Sequence, residues 1–258
     1  MIKFCNLFSG SSGNCTFVSS KNTKILVDAG VSCLKISKAL AELDVSLDEI
    51  DAILVTHEHV DHIKGITTIV NKYHVPVYAS EKTWNMMDSL KVPDVYQLTF
   101  EPNNLFNIGD FDIYPFSIPH DAADPCGFSL SCENKKVTIA TDMGYIDNTI
   151  LEQMEKSDVL LLESNYDVET LKCSPYPFFL KQRISGKNGH LSNDVAGKAI
   201  CHLCQKGVNN IILGHLSKEN NFPELAYQTV LNELKQLDLS CNLSVANRDK
   251  IDDVLELA

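Results

Sequence analysis

Three histidines and one aspartate lie within six consecutive positions, directly after an apolar, strand-like stretch. His57 and His59 are two residues apart, and in an extended chain such residues point to the same face, so both imidazoles can bind one cation. Asp61 and His62 follow where the chain should turn, and they can bind a second cation. Imidazole and carboxylate ligands favour Zn²⁺, Mn²⁺ or Fe²⁺ over Ca²⁺. The pattern therefore predicts a metal-dependent hydrolase.

Three more candidate ligands follow strand-like segments further along the chain, namely His120, Asp142 and His215. Polar residues at the carboxyl ends of strands usually build the sites of α/β folds. An aspartate between two cations can hold them at the separation of about 3.5–4 Å typical of dinuclear hydrolases. The expected sets are His57, His59 and His120 for one metal and Asp61, His62 and His215 for the other, with Asp142 shared.

The composition is that of an ordinary globular protein, with 44% hydrophobic and 22% charged residues among 258. This length can bury a full core, and no apolar run is long enough to span a bilayer. Nine cysteines, an odd number without an export-signal pattern, indicate reduced thiols. We expect a cytoplasmic protein with no membrane partner.

The charge of the chain is unevenly distributed. The formal net charge is −12, which is unusual for a nucleic-acid binder because affinity for phosphates comes from clustered Lys and Arg. Residues 171–206 nevertheless carry six basic residues and one acidic residue, so this stretch is +5 and the remainder −17. A solvated lysine-rich surface would explain the stretch by itself, but it also contains the candidate catalytic residue His190.

Short apolar runs alternate with amphipathic stretches, a pattern typical of layered α/β architecture. The predicted strands are residues 2–7, 15–19, 25–28, 52–56, 75–79, 111–118, 127–132, 137–141, 159–163 and 211–213. The predicted helices are residues 34–43, 82–90, 148–156, 195–205 and 223–237, with residues 192–194 as an N-cap region. The simplest organisation is one domain over residues 1–258, with two sheets flanked by helices.

The spacing of these ligands resembles the metallo-β-lactamase superfamily. The sequence matches that family's five ligand motifs in order, over essentially the full chain, with His57-x-His59-x-Asp61-His62, His120, Asp142 and His215. The resemblance implies an α/β fold, an αββα sandwich, with two divalent metal ions (Zn or Mn) at the edge between the sheets.

A second motif bears on the reaction. The run His190-Leu191-Ser192 and Ala196 resembles an element of the superfamily's phosphodiesterases and tRNA-processing nucleases. In those relatives the matching histidine contacts the scissile phosphate and assists the leaving oxygen. The resemblance therefore implies that His190 is catalytic and not a ligand, and we place it with Asp61 in the catalytic set. A position just before a helix also favours an anion, although a histidine that only caps the helix or packs is the alternative.

The motifs resemble most closely the YycJ/WalJ (VicX) group of bacterial proteins, which is associated with 5′→3′ exonuclease activity on DNA. The matching runs are residues 9–14, 56–62, 141–144, 163–167, 189–193 and 213–217. From these runs and the basic stretch, the expected substrate-binding residues are Ser11, Asn14, Asn165, Lys181, Arg183 and Ser192.

Two of these segments have alternative interpretations. Residues 9–14 form either an anion-binding nest or a tight turn whose glycines take positive φ. Residues 176–183 place aromatics beside cations, which suits single-stranded nucleic acid, or form an amphipathic helix with buried Phe and exposed Lys. Residues 201–204 carry Cys and His inside a helix and are more typical of packing than of a zinc site.

The expected function is therefore phosphodiester hydrolysis by a 5′→3′ exonuclease acting on DNA, as single strands or at 5′ ends. The nucleophile would be a hydroxide bridging the two metals, because two cations lower the pKa of water toward ~7. One alternative is hydrolysis of a small, cyclic phosphodiester, which an acidic surface suits. A thioester or lactam substrate fits His190 and the basic stretch less well, and the non-enzymatic alternative is a metal-stabilised interaction module.

Overall fold

The computed structural model describes residues 1–258, and its strands form two sheets of seven strands each. The first sheet contains β1 (Ile2–Phe8), β2 (Cys15–Ser19), β3 (Lys24–Val27), β4 (Ala52–Leu54), β5 (Val77–Ser80), β6 (Gln97–Phe100) and β14 (Leu255–Leu257), with β14 beside β1. The second sheet contains β7 (Phe106–Ile108), β8 (Phe111–Ser117), β9 (Cys126–Cys132), β10 (Lys135–Ala140), β11 (Val159–Glu163), β12 (Asn210–Gly214) and β13 (Asn242–Val245).

Nine α-helices lie between these strands in the chain. They are α1 (Cys33–Ala41), α2 (Val60–Ile63), α3 (Ile66–Tyr73), α4 (Glu81–Met86), α5 (Asn148–Met154), α6 (Val168–Cys173), α7 (Phe178–Ile184), α8 (Asn193–Gln205) and α9 (Pro223–Gln236). The apolar faces of α1 and α3 share one buried cluster with the first sheet, and α8 and α9 share another with the second. None of the helices is long and apolar enough to cross a membrane.

The two sheets pack face to face through alternate residues of their strands. On β3, Ile25 and Val27 point into the cluster between the sheets, whereas Leu26 points into the cluster under the helices. This follows from the two-residue repeat of a strand. Phe4 of the first sheet and Phe128 of the second are both fully buried in the inter-sheet cluster. The layers are therefore helix, sheet, sheet and helix, as predicted.

The direction of the central strands places the predicted ligands at one edge of the sandwich. In the first sheet β3, β4, β5 and β6 are parallel to one another. In the second sheet β10, β11 and β12 are parallel, and β8 has the same direction because it and β10 both pair antiparallel with β9. The loops after β4, β8, β10, β11 and β12 therefore emerge together, which is where α/β folds build their sites.

All ten predicted strands and all five predicted helices are present, with shifts of a few residues at their ends. Ser192 caps α8, since its Oγ accepts a hydrogen bond from the Val195 N–H at 3.3 Å, and Pro223 opens α9. The sequence did not indicate the short edge strands β6, β7, β13 and β14, or α2, α3 and α6, and it indicated α7 only as one of two interpretations of residues 176–183. Most of these are only three to seven residues long, so few of their positions report a repeat.

Candidate metal centre

Two groups of three side chains converge at the shared edge of the sheets. His57, His59 and His120 each place one ring nitrogen within 4.8 Å of the others, and Asp61, His62 and His215 do the same with their own ligand atoms. These are the two sets predicted from the sequence. His57, His62, His120 and His215 are buried, whereas His59 and Asp61 are partly exposed and line a pocket of about 300 Å³.

Asp142 lies between these two groups. Its Oδ2 is 3.3 Å from Nε2 of His62, while its Oδ1 is 3.3 Å from Nδ1 of His215 and 3.8 Å from Nε2 of His120. Asp142 and His215 both have left-handed backbones, with φ of 61° and 53°. Such conformations cost about 1–3 kcal/mol each and are typical of functional sites.

The buried polar atoms of this cluster fit divalent metal ions. Nε2 of His57, His120 and His215 and Oδ2 of Asp142 are buried and have no hydrogen-bond partner, and each such atom costs free energy unless something binds it. Burial lowers the pKa of His57 and of His120, which favours the neutral, ligating imidazole. Burial alone would raise the pKa of Asp142, but His215 and His62 hold it well below the usual range.

The opposite edges of the histidine rings are held by protein acceptors. Nδ1 of His62 is 2.7 Å from Oδ2 of Asp28, and Nδ1 of His120 is 3.0 Å from the carbonyl oxygen of Gly189. Metal-binding histidines nearly always donate their second N–H in this way, which fixes the tautomer and the ring orientation. Glu58, which lies between His57 and His59 in the sequence, is in neither group and accepts a hydrogen bond from the Ala123 N–H at 2.8 Å.

Glu163 connects two histidines at the second sheet. Its Oε1 is 2.7 Å from Nδ1 of His190 and 3.0 Å from Nδ1 of His215, and its Oε2 accepts from two backbone N–H groups, those of Met143 and Leu191. Burial would lower the pKa of His190, but Glu163 raises it above its usual value. A protonated His190 can donate from both ring nitrogens.

The segment after β1, residues 9–14, is a tight turn beside the metal centre. The Gly13 N–H donates to the Gly10 carbonyl at 2.9 Å, and the Gly10 N–H donates to Oδ1 of Asn14 at 2.9 Å. Gly10 and Gly13 have φ of 145° and 151°, conformations that favour glycine. Two N–H groups of the segment are thus used within the turn itself, as the interpretation as a tight turn requires.

Three of the six predicted substrate-binding residues line the pocket, namely Ser11, Asn165 and Arg183. Asn165 donates from Nδ2 to the His215 carbonyl oxygen at 2.7 Å, so it also holds that loop. Nε of Arg183 lies 2.5 Å from Oδ2 of Asp121, and the side chain is 61% exposed. Its terminal nitrogens therefore remain at the mouth of the pocket.

The other three predicted substrate-binding residues do not line the pocket. Leu180 of α7 faces the pocket, and each helical residue is rotated by about 100° from its neighbour, so Lys181 points away from the pocket. Its Nζ donates to the Lys172 carbonyl at 2.6 Å. Ser192 caps α8. Asn14 is buried, and its Nδ2 lies 3.1 Å from Nε2 of His62, so it supports that ring.

Sequence reasoning missed Asp28, Glu163 and Asp121. Asp28 and Glu163 are the last residues of predicted strands, and a polar residue at a strand end is the same signal that indicates His215. Asp121 directly follows a predicted ligand and pairs with Arg183, and no spacing rule indicated it. Residues 201–204 pack in α8, and no cluster suited to a metal includes them.

Comparison with known proteins agrees with this geometry. The family model described as "Beta-lactamase superfamily domain" matches residues 23–215, about three quarters of the chain. The chain belongs to the metallo-β-lactamase superfamily. Proteins of this superfamily bind divalent metal ions, and the His and Asp clusters described above suit such ions. The membership confirms the predicted fold and the prediction of a metal-dependent hydrolase.

Two relatives within this metallo-β-lactamase superfamily are similar over nearly their whole length. Exodeoxyribonuclease WalJ of Streptococcus pneumoniae is 41% identical over 241 residues, which are 92% of this chain and 90% of WalJ. Exodeoxyribonuclease YycJ of Bacillus anthracis is 36% identical over 237 residues, which are 91% of this chain and 90% of YycJ. The predicted likeness to the YycJ/WalJ group is therefore confirmed.

A solved structure of the superfamily supports the fold alone. The metallo-β-lactamase fold protein YhfI from Bacillus subtilis superposes with a TM-score of 0.74 at 18% identity, covering 97% of this chain and 98% of YhfI. The superposition therefore covers both sheets and the helices on either side of them.

Proposed function

We propose that this protein is a dinuclear-metal phosphodiesterase that acts on DNA as a 5′→3′ exonuclease. The observation that carries the proposal is the position of His190, which lines the same pocket as members of both triads but belongs to neither. His190 also lies in a further group of possible ligands with Asp142, Glu163 and His215, but within it Glu163 takes its Nδ1 at 2.7 Å, which leaves Nε2 for a substrate. The similarity of this chain to two proteins named exodeoxyribonuclease, over about nine tenths of each chain, supports DNA as the substrate.

The proposed ligands follow the two groups and the residue between them. His57, His59 and His120 would hold one ion, and Asp61, His62 and His215 the other, with Asp142 binding both. Zn²⁺ and Mn²⁺ both suit imidazole and carboxylate ligands. When bound, the ions would polarise a phosphoryl oxygen and lower the pKa of a bound water toward ~7.

His190 would act on the phosphate through Nε2. Its Nδ1 donates to Glu163, so Nε2 is the ring nitrogen left for a ligand in the pocket. Because Glu163 raises the pKa of His190, the ring can carry a proton at Nε2. It can then hydrogen-bond the charge that develops on the phosphate and donate the proton to the leaving oxygen.

Three further side chains would orient the strand at the mouth of the pocket, namely Ser11, Asn165 and Arg183. Arg183 is the only Arg or Lys among the residues that line the pocket, and only its Nε is paired, with Asp121. A guanidinium with free terminal N–H groups can still hold a phosphate oxygen. Lys181 and Ser192 are left out of this role, because their polar atoms bond elsewhere.

A comparison of substrates tests the proposed function. The protein would be given single- and double-stranded DNA, RNA of the same sequence and bis(p-nitrophenyl) phosphate, with Zn²⁺ or Mn²⁺ added. We expect mononucleotides from DNA at a kcat/KM well above that for RNA. Rapid hydrolysis of small or cyclic diesters with intact DNA would replace the proposal by a small-molecule phosphodiesterase. Bound metal without turnover of any diester would favour the alternative of a metal-stabilised interaction module.

A further inference from the structure

Two consecutive phenylalanines at the start of α7 point into solvent. Phe178 is 74% exposed and Phe179 is 71% exposed, the largest exposed fractions of any phenylalanine in the chain. The amphipathic-helix interpretation of this segment required buried Phe, and the structure contradicts it. Aromatic rings this exposed gain little stability from the fold, so their faces are available to a ligand.

The helix that carries these rings is a wall of the active-site pocket. Leu180, Arg183 and Ile184 of α7 line the pocket, together with Tyr176 just before the helix. Phe179 is four residues before Arg183, and residues four apart lie on the same side of a helix. Phe179 therefore lies beside the side of α7 that carries Arg183, and Phe178 extends the exposed aromatic surface around the first turn of the helix, outside the pocket itself.

This wall also has the charge that a polyanion requires. Residues 176–189 contain three basic residues, Lys181, Arg183 and Lys187, and no acidic residue, within a chain of net charge −12. Of these, Arg183 lines the pocket, whereas Lys181 adds only its charge, since its Nζ donates to the Lys172 carbonyl. A strand whose phosphate reaches the pocket would pass the wall and meet cations and aromatic rings together. Aromatic rings beside a positively charged groove are how proteins hold single-stranded nucleic acid, with bases stacked on the rings.

We propose that Phe178 and Phe179 form a stacking site for unpaired nucleobases of the DNA strand whose scissile phosphate occupies the pocket. This inference rests on the proposed function and adds the substrate class. In a duplex each base face is already covered by its neighbours in the stack, so the rings would select single strands or frayed ends. The alternative occupants of these rings are an apolar surface of another protein and a second copy of this chain. Neither would make the two rings matter for binding an oligonucleotide, so the tests below distinguish them from a nucleobase.

The first test is kinetic and uses the variant Phe178→Ala/Phe179→Ala. We expect KM for a single-stranded oligodeoxynucleotide to rise by about tenfold or more, because removing a stacking ring typically costs about 1–3 kcal/mol per base. The kcat/KM for bis(p-nitrophenyl) phosphate should stay unchanged, since that substrate does not reach beyond the pocket. Val95→Ala is the control, because Val95 is 76% exposed and does not line the pocket.

The chemistry of the side chain separates stacking from general apolar contact. Phe178→Trp/Phe179→Trp should preserve the KM for the oligonucleotide, whereas Phe178→Leu/Phe179→Leu should resemble the alanine variant. An unchanged KM in the alanine variant would overturn the proposal. An equal loss on the oligonucleotide and the small diester would also overturn it, since the rings would then support the pocket and not the strand.

A binding measurement keeps the two proposals distinguishable. Oligonucleotides with 2-aminopurine near the 5′ end change fluorescence when this base stacks, with or without turnover. We expect a change with the metal-loaded wild-type protein and none with the alanine variant. If the wild type hydrolyses only the small diester, the proposed function fails, and this titration still decides the stacking site. No fluorescence change with the wild type would contradict it.

Discussion

Oε1 of Glu163 lies 2.7 Å from Nδ1 of His190, and the same oxygen is 3.0 Å from Nδ1 of His215. One buried carboxylate thus orients the proposed catalytic histidine and one proposed ligand of the metal centre. Because Glu163 ends β11 and His215 follows β12, the parallel pairing of these two strands fixes the relation. In the proposed mechanism, the position of the reacting phosphate relative to the metals would therefore depend on Glu163.

The variant Glu163→Gln tests this dependence. The carboxylate accepts from four N–H groups, and a glutamine would turn its NH₂ toward two of these donors. We expect kcat to fall by about 10–100-fold, the usual effect of losing such an outer contact, with weaker metal binding at the His215 group. Steady-state kinetics and metal analysis measure both. Glu169→Gln is the matched control, since Glu169 is exposed, and wild-type behaviour of Glu163→Gln would contradict the assignment.

Replacing His190 separates proton donation from metal binding. We expect His190→Ala to retain both metals but to lower kcat by a factor of about 10² or more, because a positioned proton donor contributes about that much. Mass-spectrometric metal analysis and DNA turnover provide the two readouts. His202→Ala serves as the control, since His202 lies on α8 and pairs with Glu155. Full turnover in His190→Ala would remove His190 from the mechanism.

Replacing Asp142 should remove metal and activity together. Asp142 is the residue proposed to bind both ions, and its Oδ2 is buried with no partner in the protein. We expect Asp142→Ala to bind less than one metal ion per chain and to lose DNA hydrolysis. Asp238→Asn is a control at an exposed position. Two bound metals in Asp142→Ala would contradict its proposed role.

Added metal should stabilise the folded protein. The four buried partnerless atoms of His57, His120, His215 and Asp142 gain partners when ions bind. At a free concentration of 100 Kd a ligand stabilises the fold by about 2.7 kcal/mol, which corresponds to a rise in Tm on the order of 5–10 °C for a chain of this size. Differential scanning calorimetry with and without Zn²⁺ or Mn²⁺ measures it. An unchanged Tm would argue against ligation by these atoms.

The sequence was sufficient to predict the fold and the seven candidate ligands because their signals are local. His57 and His59 share one face of an extended segment, and His120, Asp142 and His215 each follow an apolar strand. The contacts that orient these rings join residues far apart in the chain, such as Asp28 with His62, and no local spacing indicates them. Lys181 does not line the pocket, because the direction of its side chain depends on the phase of the helix, which no local pattern gives. The exposure of Phe178 likewise depends on how α7 packs.

The most direct test of the proposed activity is the order in which labelled nucleotides leave a DNA strand. Identical oligonucleotides carrying ³²P at the 5′ end or at the 3′ end would be incubated with the metal-loaded protein, and the products resolved over time. The account predicts that the 5′ label appears at once as a mononucleotide, whereas the 3′ label passes through progressively shorter strands. Immediate release of the 3′ label, or intact DNA beside rapid hydrolysis of bis(p-nitrophenyl) phosphate, would contradict it.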